Sequence, residues 1–188
     1  MRIIGGSLRG RRFRFADIPD IRPTPDRVRE TLFNWLGARV AGARCLDLFA
    51  GSGALGLEAL SRGAATAVLV EQNAVAARAL AALIAEWHLQ GARVERADAL
   101  HFLGRDPEPF DIVFLDPPFH AGLLSRSAEL LERRGWLAPD ALIYVECSAR
   151  EELPPLPERW QLLKAKRAGE VGYHLLARTE GESRLHDT

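Results

Sequence analysis

The feature that most constrains the fold of this chain is an apolar run that ends in Asp47 and leads into a glycine-rich turn. From Cys45 to Gly56 the sequence reads Cys-Leu-Asp-Leu-Phe-Ala-Gly-Ser-Gly-Ala-Leu-Gly, and a helical pattern begins directly after it. A strand, a glycine turn and a helix in this order place bare backbone N–H groups at the carboxyl edge of a buried strand. Because open α/β sheets bind their ligands at that edge, this stretch predicts a ligand site.

A second apolar run ends in Asp116-Pro117-Pro118-Phe119. The two prolines fix φ and remove backbone donors, so only acceptors remain there: the Asp116 carboxylate and the Pro117 carbonyl. Acceptors alone suit a substrate NH₂ group, and Phe119 offers a ring on which an unstacked base could lie, worth ~1–3 kcal/mol. We therefore predict that Asp116, Pro117, Pro118 and Phe119 form a catalytic turn.

The order of apolar segments predicts the fold. From residue 43 onward, strands at 43–48, 67–70, 92–96, 110–115 and 141–145 alternate with helical patterns. Two more extended segments, near 160–166 and 172–178, are joined by a short turn and must pair antiparallel. The sum is a doubly wound, Rossmann-like α/β sheet, parallel except for one antiparallel edge strand.

The N-terminal segment is predicted to add a hairpin and a helix to this sheet. Residues 1–20, the N-terminal arm, read as a β-hairpin that carries clustered arginines. Thr24-Pro25-Asp26 is a typical helix start, with Thr24 as the expected N-cap. We expect the arm to bind RNA phosphates, residues 21–180 to form the catalytic domain, and residues 181–188 to be a loose tail.

The glycine motif leaves two classes of ligand open. Gly51-x-Gly53-x-x-Gly56, with Glu71 20 residues further on, matches the fingerprint of dinucleotide-binding oxidoreductases. A carboxylate at Asp47 would repel a pyrophosphate, however, and suits a ligand with an ammonium group. S-adenosylmethionine has that group, a ribose for Glu71 and no phosphate. The sequence favours this methyl donor, with a dinucleotide-dependent oxidoreductase as the alternative.

Four acids are predicted to end strands at one edge of the sheet, and we call them the acid rim: Asp47, Glu71, Asp98 and Asp116. Asp98 is placed to accept a hydrogen bond from an adenine amino group. Four carboxylates in one cleft cost electrostatic energy that folding alone does not explain. The acid rim therefore predicts a functional site.

Composition excludes several other classes of protein. The chain has 188 residues and a formal net charge of zero, which argues against a protein that coats nucleic acid generally. It lacks an apolar run of membrane-spanning length, a signal-peptide pattern and a Cys/His metal spacing. Cys45 and Cys147 are expected to be buried thiols in a reducing compartment. We therefore expect a cytoplasmic, monomeric protein without a metal.

The chain resembles the bacterial 16S ribosomal RNA (guanine-N2)-methyltransferase family. The resemblance lies in Arg2-Ile-Ile-Gly-Gly, in Arg22 to Leu36, in Asp47-Leu-Phe-Ala-Gly-Ser-Gly and its continuation to Arg62, in Asp116-Pro-Pro-Phe and in Leu142-Ile-Tyr-Val-Glu. It implies a seven-stranded class I methyltransferase sheet and methylation of one guanine N2 in 16S rRNA within an assembling 30S particle. The same turn in DNA amino-methyltransferases keeps adenine N6 or cytosine N4 open as alternatives.

The resemblance also implies roles for individual residues. Those implied to bind S-adenosylmethionine are Thr24, Asp47, Phe49, Ala50, Gly51, Ser52, Gly53, Glu71, Gln72, Asn73, Asp98 and Ala99. Those expected to contact RNA are Arg2, Arg9, Arg11, Arg12, Arg22 and Arg27.

Overall fold

The computed structural model describes residues 1–15, 18–19, 21, 23–118 and 122–180. Seven strands form one sheet with the order β3-β2-β1-β4-β5-β7-β6. The strands are β1 (Arg44–Asp47), β2 (Thr66–Val70), β3 (Ala92–Glu95), β4 (Phe110–Leu115), β5 (Leu137–Ser148), β6 (Trp160–Ala168) and β7 (Val171–Arg178). The helices are α1 (Asp26–Leu36), α2 (Ala54–Ser61), α3 (Ala74–Glu86), α4 (Ala99–Leu103) and α5 (Leu123–Arg133), with a 3₁₀ turn at Gly37–Val40.

The predicted doubly wound sheet is confirmed. Strands β1 to β5 pair in parallel, and β7 pairs antiparallel with both β5 and β6. The antiparallel strand thus lies next to the edge, and β6 is the edge strand itself. The chain order reverses between β1 and β4, which is where such sheets hold their ligands.

Two hydrophobic cores cover the two faces of the sheet. Side chains from α1, α2 and α3 pack on one face, and those from α4 and α5 pack on the other. Helix α3 begins as predicted, because Asn73 Oδ1 accepts hydrogen bonds from the N–H groups of Val75 and Ala76 at 2.9 and 3.1 Å. Helix α4 was not predicted, since five residues are too few for a periodic pattern. These two layers bury the parallel strands on both faces.

The N-terminal arm folds back on itself, although less regularly than a full hairpin. A single antiparallel bridge joins Arg2 to Arg12, and no longer strand is present in the described part of the arm. The arm packs tightly on the end of α2: a side chain at Gly6 would place its Cβ 1.9 Å from the carbonyl oxygen of Ser61. Whether residues 1–20 act as a separate RNA-binding unit stays a prediction, and residues 181–188 lie outside the described residues.

Buried charge fastens the arm to the body of the protein. Glu58, on α2, accepts hydrogen bonds from the backbone N–H groups of Ile4 and Gly5 at 2.9 and 2.8 Å. Its carboxylate also pairs with Arg29 at 3.4 Å and Arg62 at 2.8 Å. Both Glu58 and Arg29 are fully buried, and their charges are compensated within a network that also includes Arg62 and Asp26.

The prediction that Thr24 caps α1 is wrong. Helix α1 begins at Asp26 with Pro25 at the capping position, and no side chain caps it. The Thr24 hydroxyl instead points across the sheet and donates to Glu146 at 3.2 Å. The hydrogen bond to the buried Glu146 carboxyl thus fixes the Thr24 side chain, whose oxygen accepts no hydrogen bond from the backbone of α1.

Candidate active site

The sheet brings the acid rim to one edge, as the strand order requires. Asp47 is the last residue of β1, Glu71 and Asp116 directly follow β2 and β4, and Asp98 lies shortly after β3. Strands β2, β1 and β4 are adjacent, so the first three carboxyl groups follow neighbouring strands. Asp47 and Glu71 are buried, Asp116 is partly exposed and Asp98 is exposed.

The glycine turn after β1 is clamped between its neighbours. The Leu48 N–H donates to the carbonyl of Phe114 in β4, and the Ala50 N–H donates to the carbonyl of Val70 in β2. Gly53 has φ +78°, and a Cβ there would lie 2.3 Å from Leu80 Cδ2 of α3. Only glycine fits this position, because any side chain would be strained and would also collide with α3.

Asp47 turns its carboxylate back onto the helix that follows it. Its Oδ2 accepts a hydrogen bond from the Gly56 N–H, in the first turn of α2, at 3.0 Å. Burial raises the pKa of Asp47 to about 7; the Gly56 hydrogen bond opposes that rise, and the Glu71 and Glu146 carboxyls add to it. The Asp47 carboxyl thus already occupies the N-terminus of α2, where a dinucleotide would place its pyrophosphate. This arrangement disfavours a bound dinucleotide and therefore the alternative of a dinucleotide-dependent oxidoreductase.

Glu71 ties the glycine turn to the start of α3. Its Oε2 accepts from the Gly51 N–H at 2.8 Å and its Oε1 from the Asn73 N–H at 2.7 Å. The two bonds fix the plane of a carboxylate whose remaining lone pairs are free to meet a vicinal diol. The predicted contact of Glu71 with a ribose stays a prediction.

The remaining predicted cofactor residues line the same edge. Phe49, Ala50, Ser52 and the two glycines lie in the turn after β1, Gln72 and Asn73 lie between β2 and α3, and Ala99 opens α4. Asp98 caps α4, accepting from the His101 N–H at 3.0 Å. One of its oxygens is thus committed locally, and its adenine contact stays a prediction.

The predicted catalytic turn begins where β4 ends. Pro117 is buried and Pro118 is exposed, while Phe119 lies outside the described residues. Asp116 follows Leu115 of β4 and Glu146 follows Val145 of the adjacent strand β5, and because Leu115 and Val145 are paired in register, the two carboxyls lie side by side. Burial raises the pKa of Asp116 well above its usual value, and Glu146 and then Asp47 raise it further.

Glu146 is the site residue that the sequence analysis missed. It is buried, and its Oε1 accepts hydrogen bonds from Tyr144 Oη at 2.8 Å and Thr24 Oγ1 at 3.2 Å. The signal was present, since Leu142-Ile-Tyr-Val-Glu is another apolar run that ends in an acid. Glu146 thus adds a fifth carboxyl beside the acid rim.

The arginines of the N-terminal arm lie away from the acid rim. Arg9, Arg11 and Arg12 are exposed, and the guanidinium of Arg11 lies over the ring of Trp87 at 5.0 Å. Trp87 lies at the C-terminal end of α3, whereas Asn73 lies at its N-terminal end. The 13 residues of this helix span about 20 Å, which separates the two ends. A polyanion held by Arg11 would therefore have to extend about that far to reach the acid rim.

The other predicted RNA-binding arginines differ in their surroundings. Arg2 is exposed but pairs with Asp26 at 2.8 Å, and Arg27 is exposed on α1. Arg22 lies outside the described residues. A cavity of about 290 Å³ lies between the arm and α3, lined by Arg12, Arg14, Trp87 and neighbours, and is separate from the acid rim.

Residues 1–177 match the protein family described as conserved hypothetical protein 95. The ribosomal RNA small subunit methyltransferase D of Escherichia coli K12 is 51% identical over 184 residues, which cover 97% of this chain and 93% of that protein. The protein of the same name from Haemophilus influenzae is 44% identical, over 93% of this chain and 92% of that protein. The chain belongs to the family whose description matches residues 1–177. The resemblance found in the sequence is thereby confirmed.

Solved structures agree with the family assignment. The Escherichia coli protein yhhF, provisionally named a methyltransferase, superposes with a TM-score of 0.90 at 49% identity over 95% of this chain and 98% of that one. An RNA methyltransferase from Salinibacter ruber, in complex with S-adenosyl-L-homocysteine, gives a TM-score of 0.65 at 16% identity, over 89% of this chain and 100% of that one. The second likeness shows that the Rossmann-like methyltransferase fold extends beyond the family.

The described residues contain neither a membrane-spanning helix nor a metal-binding cluster. None of the helices there is both long and apolar enough to cross a bilayer. Within the same residues, His, Cys, Asp and Glu side chains form no group able to hold a metal ion. Cys45 and Cys147 are free thiols, and the second is only partly buried.

Proposed function

We propose that this protein transfers a methyl group from S-adenosylmethionine to the exocyclic N2 of a guanine in 16S rRNA within an assembling 30S particle. The observation that carries the proposal is the adjacency of two turns, one after Asp47 in β1 and one beginning at Asp116 after β4. The first suits the methyl donor and the second suits an amine. Family membership supports a ribosomal RNA substrate.

The residues after β1 and β2 fit the chemistry of the donor. When bound, S-adenosylmethionine supplies an electrophilic methyl group on its sulfonium. Asp47 is a buried carboxyl with no cation among the groups that shift its pKa, so an incoming ammonium would neutralise it. The oriented carboxylate of Glu71 would hold the ribose hydroxyls, and Asp98 would accept from the adenine.

The catalytic turn fits an amine nucleophile. Asp116 and the Pro117 carbonyl would each accept one N–H of the exocyclic amine. Holding both hydrogens orients the nitrogen and favours its pyramidal form, which frees a lone pair otherwise conjugated with the ring. Positioning of this kind contributes most of the rate when the electrophile is already reactive.

The target base must leave its pairing partner before it reaches the turn. Guanine N2 lies on the minor-groove edge of a pair, so in-line attack requires an unpaired or flipped base. Phe119 would then stack on that base. The choice of guanine over adenine or cytosine rests on the family resemblance, since the turn itself accepts any exocyclic amine.

The N-terminal arm would hold the RNA backbone at a distance from the reacting base. Arg9, Arg11 and Arg12 are exposed and unneutralised by the ion pairs of the described residues, as phosphate contacts require. The separation of about 20 Å between Arg11 and the acid rim suits a large folded RNA better than a short oligonucleotide. An assembling particle is therefore the proposed substrate.

The test is methyl incorporation from labelled donor into 30S particles from a strain that lacks the corresponding methyltransferase. Nucleosides from the product are then separated and identified by mass spectrometry. We expect N2-methylguanosine. N6-methyladenosine, N4-methylcytidine or an unlabelled particle would contradict the proposal.

A further inference from the structure

Glu146 is a buried carboxyl that touches the catalytic turn, yet the proposed function gives it no role. Only 4% of the Glu146 residue is exposed to solvent. Leu115 and Val145 are paired in register between β4 and β5, so Asp116 and Glu146 are the next residues on adjacent parallel strands. The sheet register itself brings the two carboxyls together.

Two hydroxyl groups fix the Glu146 carboxyl in place. Tyr144 Oη and Thr24 Oγ1 both donate to the same oxygen, Oε1, at 2.8 and 3.2 Å. Tyr144 and Thr24 are themselves buried. A carboxyl held by two donors on one oxygen cannot rotate without breaking both bonds, so its contact with Asp116 has a defined direction.

The contact with Asp116 requires a proton. Ionised carboxylates have only acceptors, so two of them can hydrogen-bond only when one carries a hydrogen. Among the residues that the structure describes, the groups that face the pair are Asp47 and Tyr144, with Tyr173 behind Tyr144, and none of these three is a cation. Burial raises the pKa of both Asp116 and Glu146, which is the direction that favours one proton on a pair of carboxyls placed side by side.

We propose that Glu146 is a positioning residue for Asp116: the two carboxyls share one proton, so the pair carries one negative charge and holds one Asp116 oxygen towards the substrate amine. This inference rests on the proposed function, because it assigns a partner to the residue that accepts the amine hydrogen. It concerns the orientation of Asp116 and leaves the methyl-transfer step unchanged.

The hydrogen bond between Asp116 and the substrate amine depends on how many protons the Asp116 and Glu146 carboxyls carry together. With no proton, two adjacent carboxylates repel each other beside Asp47, and the direction of Asp116 is lost. With two protons, Asp116 has lost its charge and is a weaker acceptor for a substrate N–H. The active state therefore has one proton, and the rate should fall on both sides of a pH optimum.

The test compares kcat as a function of pH for the wild type and Glu146→Gln on the same 30S particles. Glutamine keeps an oxygen for Tyr144 and Thr24 and donates a non-titrating N–H to Asp116. We expect kcat near neutral pH to fall about three- to tenfold, donor Kd to stay within about twofold, and the alkaline limb of the profile to disappear. An alkaline limb identical to that of the wild type would overturn the inference.

An infrared titration of the unliganded protein tests the shared proton without catalysis. Because Asp47 has a pKa of about 7 and would contribute its own signal, the comparison is made in an Asp47→Asn background. We expect a protonated-carboxyl band at neutral pH that disappears when Glu146→Gln is added. A band that persists would overturn the inference, whatever the activity.

Failure here is distinguishable from failure of the proposed function. If the wild type produces N2-methylguanosine while Glu146→Gln leaves pH profile and infrared band unchanged, only the role of Glu146 is wrong. Glu146→Ala serves as a second variant: loss of the positioning partner should lower kcat on the order of 100-fold at unchanged donor Kd. Equal kcat in that variant would also contradict the inference.

Discussion

Thr24 donates a hydrogen bond from Oγ1 to Oε1 of Glu146 at 3.2 Å, although 122 residues separate them along the chain. The carbonyl of Thr24 also accepts from Nε of the buried Arg29 at 3.2 Å. The segment before α1 is thus anchored to the carboxyl beside the catalytic turn and, through Arg29 and Glu58, to the N-terminal arm. One side chain links the two parts of the protein that the proposed function needs.

Thr24→Val should lower the rate of methyl transfer while changing donor affinity little. Valine has the same shape but cannot donate to Glu146, which leaves Tyr144 as the one hydroxyl on Oε1. We expect a loss of stability of about 1 kcal/mol from the missing hydrogen bond. Denaturant unfolding, single-turnover rates and calorimetric donor binding measure the three quantities.

Thr31→Val is the matched control for that change. Thr31 lies within α1, and its hydroxyl donates to the backbone carbonyl of Arg27 at 3.0 Å, far from any carboxyl of the site. It should leave the transfer rate unaltered. If Thr24→Val instead weakens donor binding tenfold or more, the side chain contacts the donor directly, as the family resemblance implies.

Donor affinity should rise with pH up to about 7 and then level off. The pKa of Asp47 is about 7 because burial disfavours its charged form, and the donor's ammonium binds that charged form. Calorimetry between pH 5.5 and 8 checks this, and proton release on binding should fade above pH 7. Asp47→Asn should weaken binding about 10- to 100-fold, by loss of a charge-assisted bond, and remove the pH dependence.

The same pKa has a consequence for the stability of the unliganded protein. Because the pKa of Asp47 in the folded protein lies above its ordinary value of 3.8, the folded form binds more protons than the unfolded form between about pH 4 and 7. The free energy of unfolding therefore falls as pH rises through that range, and Asp116 and Glu146 act in the same direction. Asp47→Asn should flatten the slope; an unchanged slope would contradict the assignment.

Glu58→Ala should destabilise the protein by about 3–5 kcal/mol, because it breaks a buried ion pair, leaves Arg29 with only the partly exposed Asp26 as an ionic partner and frees two backbone N–H groups of the arm. Urea unfolding followed by circular dichroism measures the change. Glu129→Ala is the control, since Glu129 forms an exposed pair with Arg133 at 2.6 Å on α5. That control should stay within about 0.5 kcal/mol of wild type, and equal losses in both variants would refute the anchoring role of Glu58.

Two buried serines should respond to alanine in opposite ways. Ser61 Oγ donates to the Gly5 carbonyl at 2.5 Å and accepts from the Leu8 N–H at 3.0 Å, so Ser61→Ala should cost about 1–3 kcal/mol. Ser127 Oγ is buried without a hydrogen-bond partner among the described residues. Ser127→Ala should therefore be neutral or slightly stabilising. Thermal unfolding of both variants, side by side, checks the contrast.

Arg11→Ala should weaken binding to 30S particles and leave donor binding intact. The guanidinium, held over Trp87, is exposed to phosphates, so its loss should reduce the slope of log affinity against log salt by about one. Arg133→Ala, on α5, is the control. Filter binding at several salt concentrations measures the slope, and an equal effect of both changes would argue against the arm as the RNA contact.

The alternation of strands and helices, the antiparallel edge and the acid rim were all predictable, because each rests on local pattern. Strand β5 was predicted as 141–145 but extends from Leu137 to Ser148. Its extra residues pair with Phe110 of β4 at one end and with the start of β7 at the other. Pairing partners, rather than local propensity, set those ends.

The roles of Thr24 and Glu146 were not predictable for a related reason. A threonine before Pro-Asp is normally an N-cap, and only the register of β5 against β4 shows that a carboxyl lies within its reach. The distance between the arm and the acid rim was equally unpredictable from the sequence. It depends on how the arm packs along α2 and α3, which no periodicity reports.

The acid rim also has a consequence for how a nucleotide is received. Carboxylates gathered at one edge repel phosphodiesters, while an uncharged base meets no such barrier. We therefore expect this edge to disfavour the charged backbone of a nucleotide more than its uncharged base. Selection between the parts of a nucleotide would then precede any recognition of its sequence.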